Sequence, residues 1–182
     1  MNRYPVEIHG IYIAPDHKVF GKGEEDLSGQ DIESKTTAKL IADSGIEGDR
    51  FCRPRPDYNG HITFFSQEVW DDVSKTLDLP QNIGPEITRR NIIISGVDLK
   101  ALYNVSFEIQ NIQFFGTVHC APCLAMNRAL GPGARAAMRS RGGLRAQINS
   151  SGILNHGSCE LLTEAHQDPQ NAHTQIPQPN IP

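Results

Sequence analysis

Residues 105–123 read VSFEIQNIQFFGTVHCAPC. Apolar Val105, Phe107 and Ile109 alternate with Ser106, Glu108 and Gln110, and Ile112 opens a second run. Period-two alternation on both sides of Asn111 predicts two strands with a tight connection there. Upstream, residues 6–13, 36–45, 60–66 and 90–95 read as further strands, and 143–149 and 157–163 close the set downstream. Ser66 is placed as an N-cap, followed by an amphipathic helix with Val69, Trp70, Val73 and Leu77 on one face. Pro122 predicts a second short helix, interrupted by GPG at 131–133 and resuming through Arg139. Many short strands around a few short helices predict a mainly β chain, a β-barrel or curled sheet with helical additions.

At 182 residues the chain suits one domain. We place it at residues 1–164, with a polar loop over 15–35. Residues 165–182, rich in Pro, Gln and Asn, are expected to be a disordered polar tail. Hydrophobic content of 38% and charged content of 21% fit a globular protein rather than a membrane or disordered one. No stretch is long and apolar enough for a membrane span, and the N-terminus lacks a signal peptide's pattern, so a cytoplasmic location is expected. There the four cysteines, Cys52, Cys120, Cys123 and Cys159, are expected as thiols.

The pair Cys120/Cys123 leaves four readings open: two small buried hydrophobes, a zinc knuckle completed by His119, His61 or Cys159, a redox dithiol, or a thiolate that binds a metal or carries sulfur. With Pro122 as the first helical residue, Cys123 would fall in the first turn, where the helix dipole favours thiolate.

The net charge of −4 is unevenly spread. No Asp or Glu occurs from Ile109 to Cys159, whereas Arg128, Arg135, Arg139, Arg141 and Arg145 all do. Arginine's rigid fork suits phosphate and carboxylate, so the window predicts a local anion site or a solvated face. The acidic chain and the lack of interleaved aromatics argue against nucleic acid. Arg89, Arg90 and Asn91 precede an apolar strand and could face the same anion. Asp49 follows Gly48 and is read as orienting a turn, with a ligand contact as its alternative. His61, at a strand start, is read as a satisfied histidine rather than a site residue.

Five stretches then occur in order: GIEGDRF (45–51), GHITFFSQEVW (60–70), RRNIIISGVDL (89–99), YNVSFEIQNIQFFGTVHCAPC (103–123) and RGGLRAQINSSGILNHGS (141–158). Together they resemble a MOSC domain, the module named after the C-terminal part of molybdenum cofactor sulfurase. The resemblance covers roughly residues 4–163 and implies a MOSC-type β-barrel with small helices. It also implies binding of molybdenum cofactor, or sulfur carriage as a persulfide, on one cysteine. Cys123, the cysteine after proline, matches that position and would be both the reactive thiolate and the metal ligand, with Cys120 assisting. Asp49 and Asn91 fall on the family's Gly-Asp and on its asparagine before an apolar strand. Arg89, Arg90, Arg128, Arg139, Arg141 and Arg145 would hold the anionic cofactor, with Arg141 foremost because two glycines follow it. Partners implied are the cofactor itself, a sulfur donor or acceptor protein, or an external electron donor if the chain is a reductase of N-hydroxylated compounds. A non-catalytic metal- or anion-binding module is the remaining alternative.

The chain departs from the family at two places. Arg90 stands where many relatives have Glu, and Cys120 where many have Arg, so Cys120 and Cys123 could form a disulfide or offer two sulfurs to a metal. A second N-terminal barrel and an aminotransferase-like domain are not expected. Nor is a pyridoxal phosphate Schiff base.

Overall fold

The computed structural model describes residues 1–15, 32–53 and 58–173. The first strands are β1 (Asn2–Ile13), β2 (Glu33–Lys35), β3 (Thr37–Ile41), β4 (Gly45–Ile46) and β5 (Ile62–Ser66), followed by helix α1 (Gln67–Thr76). Next come β6 (Ile92–Ser95), β7 (Ser106–Ile109), β8 (Ile112–His119), α2 (Ala125–Leu130) and α3 (Ala134–Ala137). The chain then adds β9 (Leu144–Ile148), β10 (Gly152–Asn155) and β11 (Gly157–Thr163). Short 3-10 turns lie at Pro85–Thr88 and Pro169–His173.

Seven strands close a barrel in the order β11-β7-β8-β9-β5-β6-β1, with β1 returning to β11. The expectation of a mainly β, MOSC-type barrel with short helices is met. β1 can serve three neighbours because it is long and bulged. Its first half pairs with β11, its register against β6 shifts between Ile8 and Gly10, and its last residues take β2. β5 and β6 run parallel, which requires a crossover, and α1 supplies it. β10, β3 and β4 form a separate small sheet.

Alternation divides the core in two. On β5, Ile62 and Phe64 face the barrel interior, where Phe64, Phe107 and Phe114 meet with ring centroids 5.2–5.6 Å apart. Phe65 points outward beneath α1, α2 and α3, among Trp70, Met126 and Met138. β5 is therefore buried on both faces. Ser66 caps α1 as expected, its Oγ accepting the Val69 N–H at 3.1 Å. Gln110 and Asn111 both have positive φ, the backbone of a tight hairpin turn.

Residues 165–173 of the expected tail are among the described residues. Gln167 is 4% exposed and its amide oxygen accepts the Asp98 N–H at 2.9 Å, which ties residues after 164 to the barrel. Residues 174–182 lie outside the described residues, as do 16–31 of the expected loop. Among the described residues no helix is long and apolar enough to cross a membrane.

Candidate functional site

β8 delivers the cysteine loop. The Cys120 N–H donates to Gly143 O at 2.8 Å, which holds the start of the loop against the strand leading into β9. Gly142 lies so close beneath that a Cβ there would collide with the Cys120 carbonyl oxygen and crowd Pro122. This close approach is what the double glycine provides, rather than access for a ligand.

The helix begins later than the sequence predicts. Leu124 is the N-cap of α2 and Cys123 precedes it, its carbonyl accepting the Met126 N–H at 3.0 Å. Pro122 packs on Gly142 instead of opening the helix. The dipole argument for Cys123 therefore falls, and exposure replaces it. Cys123 is exposed, Cys120 is buried, Cys52 and Cys159 are half-buried, and all four are free thiols. Burial also raises the Cys159 thiol pKa, a hydrogen bond with Gln110 acting against it. Cys123 is expected to react with iodoacetamide several-fold faster than Cys52 or Cys159 at neutral pH. Site-resolved mass spectrometry measures the rates, and equal rates would remove the accessibility argument. Among the described residues no three His, Cys, Asp or Glu are arranged to hold a metal ion, so the zinc knuckle lacks its ligand set.

The arginines occupy separate surroundings. Arg90 is 6% exposed and lies beneath the loop. Its Nε donates to Gly142 O, its Nη1 to Thr88 O and its Nη2 to Cys120 O, at 3.1, 2.6 and 3.3 Å. It braces the cysteine loop from below and keeps few donors for a ligand. Arg141 donates its Nε to Ala137 O and pairs through Nη1 with Asp72 on α1 at 2.5 Å. The window without acids in sequence is thus not without acids in space, because α1 brings one. Arg128, Arg135 and Arg139 are exposed on or beside α2 and α3, and Arg89 is half-buried after the first 3-10 turn.

Arg145 differs. It lies on β9 opposite Thr63 and half-buried, and among the described residues its side chain makes one long hydrogen bond, 3.5 Å to the Tyr58 hydroxyl. Tyr58 stacks on Phe51 at 5.6 Å, and Arg50 covers Phe51 from 4.5 Å. Burial raises the Tyr58 phenol pKa, Arg145 and Arg50 oppose the rise, and Cys120 and Asp49 add to it. All four groups are therefore within electrostatic reach of one phenol.

Asp49 and Asn91 lie together at the foot of this cluster. Asp49 Oδ1 accepts the Phe51 N–H at 3.0 Å, the expected turn-orienting bond. Its Oδ2 accepts Ala14 N–H and Asn91 Nδ2, both at 3.1 Å. Asn91 Oδ1 accepts the Thr63 N–H and hydroxyl at 3.1 and 2.8 Å, and Nδ2 also donates to Tyr12 O. Both side chains are directed at protein and hold β1, β5 and the turn at Asp49–Phe51 in place. Sequence reading missed Tyr58, Thr63 and Arg50. Thr63 gains its place from pairing with Arg145 across the barrel, and Tyr58 and Arg50 gain theirs from packing on Phe51.

His61 is a satisfied histidine: it is 5% exposed and its Nδ1 accepts the Ile148 N–H at 3.1 Å. Burial lowers its pKa, and burial together with Arg90 lowers that of His119. A histidine whose native pKa lies below its unfolded value adds stability above the unfolded value and loses it as pH falls toward the native one. The urea midpoint is therefore expected to hold steady above about pH 6.5 and to decline below it. A midpoint that rises on acidification would contradict this.

Residues 55–158 match the MOSC domain. The fold is similar to the YuaD protein from Bacillus subtilis, at 15% identity and a TM-score of 0.68, covering 88% of this chain and 97% of that one. YiiM from Escherichia coli is similar at 16% identity and a TM-score of 0.57, with 95% and 76% covered. For YiiM from Geobacillus stearothermophilus the values are 12%, 0.61, 87% and 74%. At such identities these likenesses carry the fold alone. A search of the curated proteins gave no match. The domain match takes in more than half of the chain, β5 through the start of β11 with the cysteine loop between them, and the chain belongs to the MOSC domain family, whose members are associated with molybdenum cofactor.

Proposed function

We propose that this protein binds molybdenum cofactor, with the Cys123 thiolate offered to the metal and Arg145 to the anionic pterin. The residues present fit such a group. Cys123 is an exposed soft donor on a braced loop. Arg145 is a half-buried guanidinium with most of its donors uncommitted among the described residues. The observation that carries the reading is the place of Arg145 opposite Val118, on the strand that leads into the cysteine loop. When bound, the cofactor would supply a metal able to exchange electrons with small molecules. The chain's own part is to position it. Asp49, Asn91 and Thr63 hold the floor, Tyr58 orients Arg145, and Cys120 opens the loop within electrostatic reach of Tyr58. Arg90 and Arg141 keep their protein partners, and Arg89, Arg128 and Arg139 contribute positive charge at longer range.

Arg145→Ala is expected to weaken the cofactor, or a pterin phosphate used in its place, by roughly 10- to 100-fold, since a charge-assisted contact contributes about 1.5–3 kcal/mol. Arg141→Ala is expected to change affinity little and stability more. Binding titrations with thermal melts on both variants separate the two outcomes. Equal affinity in Arg145→Ala and wild type would remove the anion site from this place.

The exposure of Cys123 also favours a second reading, sulfur carriage. Its thiolate would attack the outer sulfur of a donor persulfide, forming a new S–S bond and releasing the donor thiolate. Intact-mass analysis after incubation with a persulfide donor would show one added sulfur on Cys123, and its absence would remove this reading.

A further inference from the structure

A cavity of about 310 Å3 lies beside the strands that carry the candidate site. Val118 and His119 at the end of β8, Gly143 and Leu144 where β9 begins, and Leu99 and Tyr103 after β6 line it. Val118 pairs with Arg145 across the sheet, and Cys120 follows His119 in the chain. The same two strand ends therefore wall the cavity and present Arg145 and the cysteine loop. The volume suits a small molecule.

Most polar groups of the lining are already committed. The Ser66 hydroxyl donates to Glu68 Oε2 at 2.7 Å and accepts the Val69 N–H. Arg141 pairs with Asp72, the Lys100 ammonium donates to Asn171 O at 3.0 Å, and Asp98 lies within electrostatic reach of Lys100. Among the described residues the charges around the cavity thus answer one another. His119 differs. Its Nε2 accepts the Gly142 N–H at 3.1 Å, so the ring proton resides on Nδ1. That N–H has no acceptor among the described residues. Burial and Arg90 lower the His119 pKa, so the ring is uncharged at neutral pH. At the rim, Tyr103 is 52% exposed and Val118 40%, so two large apolar side chains face solvent.

We propose that this cavity takes the substrate of the cofactor site, and that the substrate is an uncharged, mainly apolar molecule with one hydrogen-bond acceptor. Its apolar part would lie against Leu99, Tyr103, Val118 and Leu144, and its acceptor would meet the His119 Nδ1–H. The role in turnover rests on the cofactor reading, whereas the binding itself does not. An ionised ligand is disfavoured, because it would give up its hydration for walls whose charges already have partners. A neutral imidazole donates to a carbonyl oxygen without a change of protonation.

The test is an amide NMR titration of the full chain with benzamide, and with benzoate and benzylamine as its charged counterparts. Benzamide is expected to give saturable shifts at Val118, His119 and Leu144, with benzoate and benzylamine each about tenfold weaker. Val118→Trp, at an exposed position tolerant of bulk, should block benzamide, and Tyr103→Ala should weaken it several-fold. No saturable shift with benzamide, shifts centred elsewhere, equal affinity for the charged probes, or indifference to both substitutions would each overturn the proposal. These readings need no cofactor. If benzamide binds as expected but Arg145→Ala leaves pterin phosphate affinity unchanged, the cofactor reading is what failed, and the substrate role falls with it.

Discussion

Cys123→Ser is expected to lower the molybdenum and pterin content of protein purified anaerobically by about tenfold or more. Serine keeps the size of the side chain and removes only the soft, ionisable sulfur. Because Cys123 is exposed and outside α2, the substitution leaves no cavity and disturbs no helix turn. Folding should be preserved, with a thermal midpoint within a degree or two of wild type, so loss of metal would report the missing donor. Cys120→Ser is the informative companion. Cys120 is buried at 7% exposure, and a hydroxyl there needs a new hydrogen-bond partner, so its effect is expected on stability first. Equal metal content in wild type and Cys123→Ser would set aside the thiolate as a ligand, and the cofactor proposal would then rest on Arg145 alone.

Asn91→Ala is expected to destabilise the fold by roughly 2–4 kcal/mol, since it strands several buried polar groups at once. The lost amide serves the Thr63 N–H and hydroxyl, Tyr12 O and the Asp49 carboxylate. These come from β5, β1 and the turn at Asp49, and none is close to Asn91 in sequence. For a domain of this size the change corresponds to roughly 5–15 °C in thermal midpoint. Differential calorimetry measures it. A loss below about 1 kcal/mol would mean that water replaces the amide, and that Asn91 does not hold the floor of the site. Asn91→Asp keeps the shape but sets a second carboxylate against Asp49, and should destabilise as well.

What the residues show locally, the sequence determined. Period-two alternation marks β1, β3, β7, β8, β9 and β11, because each has one face against the core, and β5 and β6 were legible as short apolar runs because both are buried on two faces. Ser66 and the hairpin at Asn111 were legible for the same reason, since capping and left-handed turns act over a few residues. β10 was not legible: only Leu154 of its four residues is buried, so it carries no alternating pattern. The ordered motifs also brought the family within reach, and the domain match agrees. The site itself was only half visible. Cysteine and arginine could be counted, but their surroundings could not, because charge in a folded chain is balanced through space. Asp72 reaches Arg141 from a helix, while Arg90 is held by carbonyls from two separate loops and its own segment. Arg145 was one of five similar residues in the sequence. Closing the barrel placed it opposite Thr63 and beside Tyr58, with no carboxylate paired to it among the described residues, and only tertiary structure decides which cation is left with donors to offer.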